Sequence, residues 1–145
     1  MRIQDYPMRG CDKQGCGYFG APRGSRKHRG IDIECLANAG INSIVSGKVT
    51  KVGKPYYDEG NSRNRNHYRY VEVTKGDYRF RIYYISPMVK VGDEVDAGDL
   101  IGYSQDLTEV YPDITQHCHL EIKNKDGEYI DPTPVYLALQ EDIYG

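Results

Sequence analysis

Tryptophan is absent from this chain, and phenylalanine occurs only twice. Fourteen tyrosines and sixteen glycines in 145 residues point instead to strands, turns and a Tyr-rich surface rather than a helix bundle. No apolar run approaches the roughly 20 residues of a membrane-spanning helix. The N-terminus, "MRIQDYPMRG", lacks the apolar stretch of a signal peptide. An excess of one charge is lacking too: 19 Lys and Arg stand against 21 Asp and Glu, for a net charge of -2. That excludes a general nucleic-acid or anionic-membrane binder. One local cluster, "RGSRKHRG", is the exception. There is no low-complexity tract. A chain of 145 residues fits one domain, 1–145, and buries a core without staples.

What is present reads mostly as short strands. Residues 1–27 mix Gly, Pro, Arg and Cys without a period, as a loop-rich N-terminal arm before a core at 28–137. "GIDIEC" alternates like a strand, and "SIVSGKVTKVG" is a strand pair or a bent strand broken by Gly47. "DEGNSRNRNH" is a polar surface loop. "YRYVEVTKGDYRFRIYYIS" is a hairpin around "KGD". "VKVGDEVDAGDLIGYS" holds Gly-Asp turns at Gly92 and Gly98, each followed by a short strand. Only "PTPVYLALQEDI" reads as helix, for about two turns. The expected fold is mostly β, a single antiparallel β-sheet domain with Gly-rich corners and one short C-terminal helix.

Cysteine is scarce: Cys11, Cys16, Cys35 and Cys118. Cys11 and Cys16 flank the turn-like "DKQG". They could close a small disulfide loop, which would imply an oxidising compartment. They could equally be free thiols. As zinc ligands they lack a second Cys or His pair nearby.

Histidine is scarcer in proportion to its arrangement. Two of the four sit in "ITQHCHLEI" at 117 and 119. Residues two apart share a face of a strand, so His117 and His119 project together and Cys118 projects opposite. Two adjacent imidazoles are poor core material, whereas a metal takes neutral imidazole nitrogen as a ligand. Upstream, "HRGID" places His28 and Asp32 four residues apart, on one face of a strand as well as of a helix, with Gly30 permitting close approach of another chain. His28, Asp32 and one of the pair make three N and O ligands, leaving a fourth position for water, as in a catalytic zinc site. The His28–Asp32 spacing alone is common and weak, and the His117–His119 pair alone is moderately specific; together they use three of the four histidines. His67 reads as a solvated loop residue.

These residues, in this order, resemble the lysostaphin-type zinc endopeptidases of bacterial cell walls. The resemblance implies a barrel-sandwich-like β fold and a zinc ion held by His28, Asp32 and His119, with His117 as the catalytic histidine. "VKVGDEVDAGDLIGYS" is similar to that family's Gly-Asp segment, and the likeness runs over about residues 25–137. Within the superfamily, "CDKQGCGYFGAPRGSRKHRGIDIEC" and "VYPDITQHCHLEI" are similar to the secreted leukocyte cell-derived chemotaxin 2 branch. That likeness implies a Cys11–Cys16 disulfide and leaves Cys35 and Cys118 as free thiols. One position departs from the active enzymes: Tyr84, in "FRIYYISP", stands where they carry a further catalytic histidine. The chemotaxin branch has Tyr there as well.

Two functions compete on this basis. In one, the chain is a zinc-dependent endopeptidase of peptidoglycan peptides, with His117 handling the proton of the attacking water and Tyr84, with His67 as a further candidate, stabilising the oxyanion. The tyrosines of "PYYDEG" and "HYRY" would then line a groove. In the other, it is a catalytically reduced, chemotaxin-like module that binds a receptor or another extracellular peptide or glycan. Both expect a monomer, secreted, extracytoplasmic or released by lysis, that binds no nucleic acid. A lipoyl- or biotinyl-carrier domain is suggested by "VSGKV" and "VGDEVDAGDLIG" but lacks the lysine at a hairpin tip. A purely structural β-domain leaves the three-ligand pattern unexplained.

Overall fold

Residues 6–57 and 65–144 are described by a computed structural model, with side chains as far as residue 139. The loop read in "DEGNSRNRNH" lies largely outside them. The strands are short, and every pairing between them is antiparallel. In chain order they are β1 (Cys11–Asp12), β2 (Gly15–Cys16), β3 (Pro22–Arg23), β4 (Arg26–Lys27), β5 (Ile31–Glu34), β6 (Gly40–Asn42) and β7 (Gly47–Gly53). They continue with β8 (Tyr70–Lys75), β9 (Tyr78–Tyr83), β10 (Ile85–Pro87), β11 (Glu94–Val95), β12 (Leu100–Ser104), β13 (His117–Lys123) and β14 (Tyr129–Ile130). Helix α1 (Thr133–Tyr144) closes the chain.

A seven-stranded sheet runs β11-β7-β8-β9-β13-β14, with β5 also paired to β13. A three-stranded sheet, β10-β12-β6, stands beside it. The central hairpin is built as the alternation dictates. Val71, Val73 and Ile82 are buried, and Gly76 opens the two-residue turn at a φ of 57°. Strand β7 is one bent strand that begins at Gly47, with a register shift between Val49 and Lys51. Ile31, Ile33, Val49, Ile82 and Leu120 fill the core, each contributing about 1.5–3 kcal/mol by leaving water.

Three details depart from the sequence reading. The helix has 12 residues rather than two turns, because Asp131 Oδ1 accepts the Thr133 backbone N–H at 2.9 Å and buried Tyr136 anchors its first turns. His28 lies in the bend between β4 and β5, not on a strand with Asp32. The arm is not a free loop: the Asp32 carbonyl accepts the Arg9 N–H at 2.8 Å, the Gly17 carbonyl accepts the Asp32 N–H at 2.9 Å, and Met8 bridges Ile33. The arm therefore borders β5 on the side away from β13.

Candidate metal centre

Strand β13 is buried on both faces from His117 to Ile122. One face, Cys118, Leu120 and Ile122, belongs to the core. The other carries His117, His119 and Glu121, which no hydrophobic core would accept without partners. Register explains the partners: His119 faces Asp32 on β5 and Tyr83 on β9. The bend before β5 brings in His28, and Gly30 makes the crossing possible. A Cβ at Gly30 would overlap the Leu120 carbonyl and meet His119 Cε1 at 3.0 Å.

Three ligand atoms converge. His28 Nε2 lies 3.0 Å from His119 Nδ1 and 3.2 Å from Asp32 Oδ1, and His119 Nδ1 lies 2.8 Å from Asp32 Oδ1. The outer nitrogens are occupied. His28 Nδ1–H donates to the Tyr18 carbonyl at 3.0 Å, and His119 Nε2–H donates to Glu121 Oε1 at 3.0 Å. Those bonds turn the remaining lone pairs of both rings inward, as carboxylates and carbonyls do behind metal-bound histidines. Three lone pairs then face one another. A proton bridges at most two of them; a cation satisfies all three. Ligand atoms at the vertices of a zinc tetrahedron stand about 3.3 Å apart for bonds of about 2.0–2.1 Å, so the donor set fits zinc in type and size. These three residues are the cluster of possible metal ligands among the described residues.

The charges agree. Burial raises the Asp32 carboxyl, but hydrogen bonds from His119 and His28 and the neighbouring imidazoles hold it well below the usual range. Burial pulls His119 down, yet Asp32 and Glu121 outweigh it and push the ring up to about 9. The site thus pulls positive charge onto His119 Nδ1 when no cation is held. Arg9, buried in the arm, donates from Nη1 to Asp32 Oδ2 at 2.8 Å and from Nη2 to Asp12 Oδ1 at 2.7 Å.

His117 is arranged differently. Its Nδ1–H donates to the Thr115 carbonyl at 2.7 Å, so Nε2 presents a lone pair 3.3 Å from Asp32 Oδ2. Burial drives the ring down to about 4, against the pull of Asp32. It is a neutral imidazole beside the ligand cluster without belonging to it.

Tyr84 occupies the corner where the chain leaves the seven-stranded sheet for the three-stranded one. Its φ is 70°, a conformation costing roughly 1–3 kcal/mol outside glycine. The Arg69 carbonyl, accepting its N–H at 2.8 Å, and the Gln105 N–H, donating to its carbonyl at 2.8 Å, hold it there. Its ring meets that of His117 edge-on at 5.8 Å. Its hydroxyl shares a 2.6 Å hydrogen bond with Tyr56, and desolvation raises its pKa well above 10.0.

The cleft above these groups has a volume of about 380 Å³. It takes in His28, Asp32, His117, His119 and Tyr84, so all five predicted site residues meet in one place. His67 does not join them: it is exposed, packs on Tyr68 and lies 3.9 Å from Glu109, outside this cleft. Of the predicted groove tyrosines Tyr56 lines the cleft, whereas Tyr68 and Tyr70 are buried. Glu121 and Arg9 were missed. Glu121 has a signal in sequence, the same strand face as His119 two residues on. Arg9 has none, since only the folded arm brings it to Asp32. Cys11 and Cys16 form a disulfide, and Cys35 and Cys118 are buried free thiols.

Comparison with known proteins agrees with this geometry. The model of peptidase family M23 matches residues 26–132. Leukocyte cell-derived chemotaxin-2 of Bos taurus is 31% identical over 130 residues, covering 90% of this chain and 79% of the relative. Its counterpart in Mus musculus is 32% identical over 127 residues, covering 87% and 77%. The solved catalytic domain of lysostaphin, an antimicrobial peptidase from Staphylococcus simulans, superposes with a TM-score of 0.66 at 26% identity, covering 92% of this chain and 94% of that domain. The chain belongs to peptidase family M23.

Proposed function

We propose that this protein is a zinc-dependent endopeptidase that hydrolyses peptide bonds in bacterial peptidoglycan, acting outside the cytoplasm after secretion or lysis. The observation that carries the reading is His117. A structural metal would need His28, Asp32 and His119 and no third histidine. Yet a neutral imidazole is held beside them with its Nε2 lone pair 3.3 Å from Asp32 Oδ2.

A zinc ion held by His28, Asp32 and His119 would supply Lewis acidity to the scissile carbonyl and lower the pKa of water to about 7. The chain's own groups do the rest. His117 Nε2 accepts the proton of the attacking water, and its Nδ1–H stays on the Thr115 carbonyl, which fixes the ring while the positive charge develops. Asp32 and the imidazolium of His117 attract each other at that moment. The Tyr84 hydroxyl, a neutral donor at neutral pH, is the candidate for the developing oxyanion, with Tyr56 orienting it. Glu121 keeps His119 in the ligating tautomer.

The second reading, a chemotaxin-like module that binds an extracellular receptor, peptide or glycan as a monomer, is favoured by one observation. Tyr84 stands where the lysostaphin-type pattern calls for a histidine. The two readings part on one assay: release of soluble peptides from purified peptidoglycan by zinc-loaded protein, with His28→Ala as the blank. Release that needs His28 and stops with chelator supports the endopeptidase. No release from protein holding stoichiometric zinc, across several wall types, supports the binding module.

A further inference from the structure

The basic segment "RGSRKHRG" gives the metal centre His28, and the fold brings its cationic side chains to the rim of the cleft. Hairpin β3–β4 and the bend after it set Arg23, Arg26, Lys27 and Arg29 along one wall. With Arg9 and Arg65, six cationic side chains and two carboxylates, Asp32 and Glu121, line the cleft among the described residues. Neither carboxylate neutralises Arg26, Lys27 or Arg29. Asp32 is spent on Arg9, the ligand histidines and, at 3.8 Å, Arg23, and Glu121 accepts from His119 and from the Tyr83 hydroxyl at 2.9 Å. Among the described residues, Arg26, Lys27 and Arg29 have no carboxylate within ion-pair distance.

The wall is also organised. Arg29 stacks on the Tyr129 ring at 5.0 Å and donates from Nη1 to its hydroxyl at 3.2 Å. Lys123 lies over the same ring at 4.7 Å. One tyrosine thus carries two cations with no counter-charge among the described residues, in a protein whose net charge is -2. Exposed surface lysines and arginines are normally interspersed with acids; an uncompensated set focused on a concave, partly low-dielectric site raises the local concentration of anions. A guanidinium pinned by an aromatic ring has already lost much of the rotamer freedom that binding would otherwise cost.

We infer that this wall is a specificity element, and that the cleft takes a peptide bearing free carboxylates close to the bond at the metal centre, in preference to a neutral, glycine-like segment. Arg26, Lys27 and Arg29 pair with the carboxylates, and Arg29 is the fixed point of the three. The inference rests on the cleft being a peptide site, as proposed above, but not on hydrolysis.

The test is binding. A fluorescein-labelled hexapeptide of alternating Glu and Ala is titrated into zinc-loaded protein, against the same peptide with Gln for each Glu. The triple variant Arg26→Gln, Lys27→Gln, Arg29→Gln and a sulfated oligosaccharide of equal charge complete the set. The three residues are exposed, so the variant keeps its core, and retention of zinc checks its fold. The acidic peptide should bind roughly tenfold or more tightly than the neutral one, the preference should shrink as salt shortens the Debye length, and the triple variant should abolish it. Equal binding of the two peptides, or a preference that survives the triple variant, overturns the inference. Tighter binding of the sulfated oligosaccharide through the same residues overturns the peptide assignment. Wall hydrolysis without any acidic preference sinks this inference alone; acidic preference without hydrolysis sinks the endopeptidase alone.

Discussion

The two sides of the cleft are built on opposite principles. On the β5–β13 side, the outer polar atoms have assigned partners: His28 to Tyr18, His119 to Glu121, Asp32 to Arg9, and Glu121 onward to Tyr83. The residues are buried, and their geometry is set by strand register. On the tyrosine and arginine side, rings and guanidiniums lean on one another, Arg65 over Tyr56 at 3.8 Å and Arg29 over Tyr129. The difference teaches where each task can be placed. Holding a dication requires lone pairs fixed by an outer shell. Recognising a varied ligand tolerates a half-exposed surface of stacked side chains.

The harshest break of the ordered side is Asp32→Ala. It deletes one ligand and removes one of the two carboxylates that hold buried Arg9, Asp12 remaining as the other, a loss of roughly 1.5–3 kcal/mol in stability for a hydrogen bond to a charged group. Thermal unfolding and zinc content should both collapse, while Arg26→Gln leaves both unchanged. The ordered side also carries a pH signature in chelated protein. His117, held down to about 4, makes stability rise between about pH 4 and 6.5, where the unfolded chain binds the extra proton. His119, pushed up to about 9, contributes stability that is complete below about pH 6.5 and lost as pH rises through 9. Chelated protein should therefore unfold at the highest temperature near pH 6.5, and His119→Ala should remove the alkaline fall alone. A flat profile in denaturation scans would refute the assignment of these charges.

Next in size is His117→Ala. Zinc content should match the unaltered protein, and peptide release should fall by about 10²–10⁴, the range of a lost general base. His119→Ala should lose the metal instead. Equal loss of zinc in both variants would erase the distinction between ligand and base.

These expectations trace back to residues that were legible in unequal ways. The HxH spacing exposed His117 and His119, because strand periodicity decides which side chains share a face; HxxxD exposed His28 and Asp32 as a ligand pair, although a bend before β5 and not a shared strand brings His28 in. The hairpin at "KGD" was legible because a two-residue turn needs a positive φ that Gly76 supplies. Arg9 was not, since its role depends on the arm crossing β5 through backbone bonds that leave no pattern in side chains. The break at Tyr84 was hidden inside "FRIYYISP", a run that alternates as if one strand continued. Only the switch between sheets, with a φ of 70°, divides it. The helix outran its expected length because a cap at Asp131 and burial of Tyr136 act where the apolar spacing is weak.

Glu121→Gln sharpens the comparison without removing a ligand. The amide still accepts from His119 but no longer favours charge on the ring, and zinc affinity should fall by about 10–100-fold, read by competition with a chromophoric chelator. The change should scarcely touch binding of an acidic peptide by the facing wall.

Tyr56→Phe is the gentlest probe and the most decisive about independence. It removes the 2.6 Å hydroxyl contact to Tyr84, worth about 1 kcal/mol of stability, and leaves the Tyr84 hydroxyl free to turn. Zinc affinity should not move, because no hydrogen bond links Tyr56 to a ligand histidine. If Tyr84 serves the oxyanion, peptide release should fall while zinc stays bound; if it only fills the corner between sheets, release should be unchanged. Combined with Glu121→Gln, the losses in zinc affinity and stability should add to within about 0.5 kcal/mol, as for separated sites. A larger coupling would mean that the two walls share a network through Tyr83 and Tyr84, whose rings lie 6.5 Å apart, and that the ordered side reaches further across the cleft than its hydrogen bonds indicate.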